Sequence, residues 1–430
     1  MPESLQLAEA RRVALAAAGF GPAAAPFPAG LEGTAAAVLH LSSVQIDTIQ
    51  VVERAHHHIL WSRVPRYAVS SLGRLETGER RVFEYWSHAA AYLPIGDYRY
   101  CLPRMERVRH NGHDWFKVEP ATVRLVRDRI RAEGPLRVQD FGSRAEGGKT
   151  AGGRNAGEDG PRGAGGWWDW KPAKVALEYL FQAGELVTVT RDGFQKRYDL
   201  AERALPPGLE RRRPTEAEMA AWYVDIATRT LGVFAARDVA YMRRDCKGGI
   251  PDEIARRVED GRLVEIRLEG AGGEAVRCYA APRALEAGAR REAAGARAFV
   301  LSPFDPLVID RRRLKRIFGL DYTIECYVPE SKRRFGYFAL PLLWRDGAGD
   351  ASAVGLLDAK ADRDARTLVL RRLRVDSVAP IRRSSLAASL AAELRRYAAF
   401  NRCDRLALER IETADPRLEA ALRDRIESRA

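Results

Sequence analysis

GPLRVQDF, residues 134–141, has a counterpart in GVFAARDV, residues 232–239, and the pair decides how the chain reads. Both follow Gly-x-apolar-x-x-Gln/Arg-Asp-apolar. Each copy continues into a second helical stretch and then into GELV (184–187) or GRLV (261–264). A hairpin pattern closes each copy. VTVTRDGFQKRYDL alternates apolar and polar residues about Asp192-Gly193, and LVEIRLEGAGGEAVRCYA does the same about Gly270–Gly273. Helix, turn, helix and a two-stranded wing is the order of a winged helix, so two are expected in tandem.

In the first copy, KPAKVALEYLFQAGEL reads as the recognition-type helix. Pro172 suits its first turn and Gly184 its left-handed end. Val175, Leu177, Leu180 and Phe181 are available for a core face. Lys171 and Lys174 stand at the helix start, where they suit phosphate contact, although Glu178 on the same face fits a plain solvated surface equally well. Residues 143–166 are glycine-rich and nearly without apolar side chains, so a disordered insertion is expected. It ends at Trp167, Trp168 and Trp170, which read as core anchors.

Upstream, residues 1–120 read as helical, with Glu79–Tyr98 as a buried segment ending at Pro94. Downstream, DRRRLKRIFG (310–319) reads as a basic helix, capped by its own aspartate, on a basic surface. It leads into four β-rich segments: YTIECYVP, FGYFALPLLW, AVGLLDAKAD and TLVLRRLRVD. The last 45 or so residues return to helix, with Leu386, Leu390 and Leu394 at four-residue steps. The expected class is mixed and mainly α, with tandem winged-helix modules and a β-rich C-terminal region. Its expected divisions are a helical region 1–120, winged helices 121–205 and 206–298, and a C-terminal region 299–430.

The chain of 430 residues exceeds what one hydrophobic core usually serves, in keeping with several modules. Its net charge of +13 points to a polyanionic partner, because Arg and Lys that neutralise phosphates release condensed counterions. Five scattered cysteines (Cys101, Cys246, Cys278, Cys326, Cys403) offer no CxxC and no Cys/His pair at zinc spacing, so a reduced, cytoplasmic setting is expected. No apolar run approaches the roughly 18 residues of a membrane span. ARRVALAAAGFG, near the N-terminus, follows Glu3 and Glu9 and reads as an amphipathic helix in place of an export signal. Without a G-x-S-x-G elbow, a phosphate-cradling glycine loop or HExxH, the common hydrolase, NTPase and metalloprotease chemistries find no support.

Two polar residues in LSSVQIDTIQVVERAHHHILWSR (41–63) stand apart. From Thr48 on, Ile49, Val52, Ala55 and Ile59 recur at helical spacing, and Asp47 with Gln50 forms a capping-box pattern. Capping accounts for Asp47 and not for Gln45. In an extended lead-in the side-chain period is two, so Gln45 and Asp47 share one face. Both readings stand at this point. His56-His57-His58 looks like a metal site, but adjacent helical positions fan out by about 100°, so one ion cannot be chelated by all three. His56, aligned with the core face, reads as a satisfied buried histidine in preference to a ligand, and His88, in WSHAAAYLP, is similarly open.

Taken together, VQIDTIQVVERAHHHILWSR, EYWSHAAAYLP, WWDWKPAKVALEYLFQAGEL with GFQKRYDL, and LSPFDPLVIDRRRLKRIFG with YVPESKRRFGYFALP resemble the AlkZ/YcaQ family of bacterial DNA glycosylases, from about residue 5 to about residue 410. The insertion at 143–166 is outside that pattern. The resemblance implies tandem winged helices in a concave DNA-binding body, and excision of bulky N7-alkylguanines and interstrand crosslinks. The family's catalytic signature is Gln-x-Gln in one branch and Gln-x-Asp in the YcaQ branch, and Gln45-Ile46-Asp47 matches the second. Gln45 and Asp47 are thus the expected catalytic pair, with no cofactor and no metal. His56, His88, Lys171, Lys174, Arg311, Arg312, Lys332 and Arg333 are the candidate DNA contacts. The expected partner is double-stranded DNA carrying alkylated or crosslinked bases, met by a monomer at the nucleoid.

Two other readings compete. A non-enzymatic winged-helix regulator predicts sequence-preferring affinity for undamaged duplex, but no heptad-like dimer segment supplies the two-fold symmetry such proteins use. A phosphate-handling enzyme lacks a loop or metal cluster to serve it.

Overall fold

The structure is a computed structural model that describes residues 3–21, 26–111, 118–141, 172–242, 248–290 and 295–428. The insertion 143–166, the three tryptophans after it, Lys171 and Cys246 lie outside the described residues. The chain divides into two compact units, one of Met1–Ser71, Ser87–Pro94 and Thr215–Ala430, the other of Leu72–Trp86 and Ile95–Pro214.

The smaller unit holds the first repeat. Its helix Pro120–Glu133 buries Val123, Val126 and Ile130, one stripe at three- and four-residue steps. Gly134 then takes φ +94°, a left-handed turn that a side chain resists. The short strand Leu136–Arg137 follows, and Asp140 accepts the Arg137 backbone N–H through Oδ2 at 2.9 Å. The helix Pro172–Gln182 buries Ala176, Leu177, Leu180 and Phe181. A hairpin of Leu186–Asp192 and Gln195–Leu200 closes the unit, and the short strand pairs with its returning arm, Leu136 opposite Tyr198.

The second repeat, in the larger unit, repeats these moves. The helix Glu216–Leu231 starts from a reciprocal capping box: Thr215 Oγ1 accepts the Glu218 N–H, and Glu218 Oε2 accepts the Thr215 N–H. Gly232 turns at φ +70°, where a Cβ would lie 2.8 Å from Val13 and Ala17 side-chain carbons. Phe234 bridges to Tyr279 in the hairpin, and Asp238 accepts the Ala235 N–H at 2.9 Å. Helices Ala236–Val239 and Ile250–Glu259 lead to the hairpin Val264–Glu269 and Ala275–Ala280. The repeated Gly and Asp therefore have one physical cause in both copies: a left-handed turn, then a carboxylate that satisfies the backbone N–H three residues earlier. The N-terminal strand Glu3–Leu5 adds in parallel to Val264–Glu269.

The C-terminal part of the larger unit is a six-stranded sheet. Arg297–Val300, Leu340–Arg345, Ala351–Asp362 and Thr367–Val375 run antiparallel in turn. Arg405–Leu408 and Ile411–Glu412 each pair in parallel with the last of these. The helix Arg383–Phe400 lays Leu386, Leu390 and Leu394 on this sheet, all fully buried as their spacing predicts. Each contributes on the order of 1.5–3 kcal/mol by leaving water. Helix Pro416–Glu427 packs against the same layer.

Four expectations are corrected. Glu79–Tyr98 is not helical: it supplies the strands Val82–Trp86 and Ala90–Pro94. Residues 82–85 are all buried, and a strand covered on both faces loses the alternation that announces it. YTIECYVP is a loop, because the Glu325 carboxylate in its middle binds three backbone N–H groups, those of Arg334, Phe335 and Gly336. The helix after Asp47 begins at Ala55, not Thr48, and Asp47 does not cap it. Tertiary bonds hold the intervening chain open: Val51 O accepts from Ala361 N, and Glu53 N donates to Asn401 Oδ1. Finally, the helix Arg311–Phe318 is capped by Asp310 as expected, but it is no simple basic surface. Arg313 and Arg316 are 1% and 2% exposed, bound respectively to the carbonyls of Leu231 and Val233 and to Asp238.

Candidate active site

Val44–Gln45 pairs antiparallel with Ala90–Pro94, Val44 opposite Tyr92 and Gln45 opposite Ala91, and Ile46 N continues the ladder by donating to Ala90 O at 2.8 Å. Residues 44–46 are therefore extended. Val44 and Ile46 point into the core, while Gln45 and Asp47 are half-buried on the opposite face. Gln45 and Asp47 are both half-buried about buried Ile46, the alternation that a spacing of two in extended chain implies.

Each is held by a specific bond. His88, in the turn before the partner strand, sets Nε2 2.9 Å from Gln45 Oε1. A carbonyl oxygen only accepts, so His88 Nε2 carries the proton and the Gln45 amide nitrogen is left to donate elsewhere. Asp47 Oδ1 accepts the Ile49 N–H at 2.7 Å, the short turn an aspartate makes with the backbone two residues on. Burial pushes the Asp47 carboxyl above its ordinary range, and that backbone bond only partly opposes it. The carboxyl is thereby a stronger base than a surface aspartate. Cys326 and Tyr327 lie within its electrostatic reach. Among the described residues Asp47 takes part in no salt bridge. Beside Gln45 and His88 a cavity of about 100 Å³ is walled by Tyr223, Tyr241, Phe304, Asp310 and Arg313.

The remaining expected site residues are scattered in role. His56 is 4% exposed, with its ring against His57 and Tyr92, so it belongs to the core and offers DNA no surface. His57 Nδ1 meets Tyr67 Oη at 2.7 Å, and His58 Nε2 donates to Val300 O at 2.8 Å. Burial lowers both rings to a pKa of about 4, which keeps them neutral. Among the described residues no group of three or more His, Cys, Asp and Glu side chains is arranged to hold a metal ion. Arg311 is also corrected: its guanidinium donates to Val308 O and Pro303 O and lies over Tyr322, which leaves it internal. Arg312, Lys332 and Lys174 are exposed, and Arg333 is half-buried with Nε on Val328 O. His88 is brought to Gln45. Its 43-residue separation from Gln45 left no sequence signal, and neither did the approach of Cys326 and Tyr327 to Asp47.

A carboxylate and an amide that flank buried Ile46, in a chain of net charge +13, are groups suited to hydrolysis on a polyanion. The chain belongs to the DNA glycosylase AlkZ-like family, which it matches over residues 38–400. It is a DNA glycosylase. Among solved structures it is similar to the Streptomyces sahachiroi DNA glycosylase AlkZ, at 15% sequence identity and a TM-score of 0.56 over 96% of this chain and 100% of that one. That likeness establishes a shared fold, and the family match sets aside the non-enzymatic regulator reading. No helix among the described residues is long and apolar enough to cross a membrane.

Proposed function

We propose that this glycosylase excises N7-alkylguanine-type bases and unhooks interstrand crosslinks by hydrolysing the N-glycosidic bond, with Asp47 and Gln45 at the sugar. The observation that carries the reading is the shared, half-buried face of Gln45 and Asp47 on either side of buried Ile46.

The chemistry follows from the groups. An N7-alkylated guanine is already cationic, so it leaves with the bonding pair as a neutral base and asks for neither a strong acid nor a cofactor. The sugar is left as an oxocarbenium-like cation. The Asp47 carboxylate stabilises it electrostatically and takes a proton from the water that adds at C1′. The Gln45 amide N–H, left available by the His88 bond, holds that water. The product is an abasic site and a free base, and no lysine amine enters the sequence. A crosslinked base cannot be drawn fully from the helix, which suits a pair that stands half-exposed on a strand over one in a closed pocket.

The Gly-turn, bridging strand, Asp-capped helix and hairpin common to both repeats support reading them as winged helices within 121–205 and 206–298. The expected partner is alkylated or crosslinked duplex, bound by a monomer inside the cell through exposed cations such as Lys174, Arg312 and Lys332. The test incubates the protein with duplex carrying N7-methylguanine or a nitrogen-mustard crosslink, then cleaves abasic sites with alkali. Release by wild type with loss in Asp47→Asn is the expected result. A wild type that leaves both substrates intact overturns the lesion assignment, and an Asp47→Asn variant at full rate overturns the role of Asp47.

A further inference from the structure

We propose that Tyr327 is the aromatic contact of this enzyme with the damaged duplex: its ring stacks on a base flanking the lesion while Asp47 faces the sugar. The inference rests on the catalytic reading of Asp47 and adds a residue that no local pattern singles out.

Three observations converge on it. First, Tyr327 is 83% exposed although Asp47 is close enough to act on its phenol. An aromatic ring open to water beside a half-buried carboxylate is a surface waiting to be covered, and a base is a flat apolar face of matching size. Second, the loop that carries it is pinned from within. Glu325 accepts Arg334 N at 2.7 Å on one oxygen and Phe335 N and Gly336 N at 2.8 and 3.1 Å on the other. Val328 N returns to Glu325 O, and Arg333 Nε binds Val328 O. Arg372 closes the base of the loop by donating to Arg334 O while its guanidinium covers Phe335. A ring on so constrained a loop loses little freedom when a base settles on it. Third, the same loop exposes Lys332 and Arg334, cations placed to meet phosphates on either side of a stacked base. An ordinary phenol is neutral at physiological pH, so the ring presents no charge to repel the backbone.

The test uses the full-length protein as wild type, Tyr327→Ala and Tyr327→Phe. Affinity is measured for duplex with a tetrahydrofuran abasic analogue over a range of salt, and single-turnover release from N7-methylguanine duplex is followed in parallel. A 2-aminopurine beside the lesion reports stacking by its fluorescence. Tyr327→Ala is expected to lose about ten- to a hundredfold in affinity and in subsaturating rate, the scale of one base–aromatic stack. Tyr327→Phe keeps both, and the salt slope stays the same in all three because no phosphate contact is removed. The 2-aminopurine signal changes on binding of wild type and Tyr327→Phe but not Tyr327→Ala. Equal affinity and rate in Tyr327→Ala overturn the proposal, as does a Tyr327→Phe variant as weak as Tyr327→Ala, which would assign the role to the hydroxyl. Wild type that releases no base, with Tyr327→Ala still weakened on the abasic duplex, sinks the lesion assignment and leaves the stack standing.

Discussion

His88 Nε2 lies 2.9 Å from Gln45 Oε1, and this bond occupies the amide oxygen and leaves the amide nitrogen to donate elsewhere. In the proposed mechanism His88 acts through Gln45, as a positioning residue. His88→Ala is expected to lower the single-turnover rate about tenfold without weakening binding, since the amide then samples both orientations. In a double-mutant cycle with Gln45→Ala the two losses should not add. Additive losses would separate His88 from Gln45.

In the proposed mechanism Asp47 must be ionised to take a proton, and burial raises its carboxyl above the ordinary range. The rate should therefore fall in acid at a higher pH than a surface aspartate would impose. The sign for stability is opposite. A carboxyl whose folded pKa is raised costs stability once pH passes its unfolded value of about 3.8. Asp47→Asn removes that cost, so its melting temperature at neutral pH should equal or exceed that of wild type while activity drops about a hundredfold or more. A destabilised Asp47→Asn would indicate that the carboxylate is needed for folding instead.

Arg63 and Asp305 form a two-pronged ion pair at 2.6 and 2.9 Å, with both side chains 0% exposed. Arg63 also donates to Ala18 O and Ile59 O, and Asp305 Oδ1 accepts Leu307 N. Asp305→Ala strands a buried guanidinium and a backbone donor, and should cost about 3–5 kcal/mol by urea unfolding. A loss below about 1 kcal/mol would mean that water reaches Arg63 and that the pair is not sealed.

His57 and His58 are held neutral by burial, with pKa values of about 4 against 6.5 in the open chain. A lowered histidine pKa supports the fold above its unfolded value, and that support is lost as pH falls from about 6.5 toward about 4. Each ring should withdraw about 2 kcal/mol between pH 7 and pH 5. His57→Gln should shrink the difference between urea midpoints at those two pH values. An unchanged difference would show that the ring is solvated.

The sequence by itself determined the repeat, because its causes are local. A glycine that must turn left-handed, a carboxylate that reaches a backbone N–H three residues away and a hairpin with a glycine turn all act within a few positions. The shared face of Gln45 and Asp47, the Asp310 cap and the leucine stripe of residues 386–394 were legible for the same reason. Tertiary structure decided what distant partners impose. Asn401 and Ala361 hold residues 51–53 out of a helix their spacing favours, and neighbours on both faces bury residues 82–85 of the strand that follows. Asp238 and two carbonyls draw arginines of a basic helix into the core. His88 reaches Gln45 across 43 residues, and Tyr327 comes within electrostatic reach of Asp47 across 280, on a loop whose shape is set by the Glu325 carboxylate. Local pattern encodes which groups a residue can satisfy, and only the folded chain chooses which of them arrive.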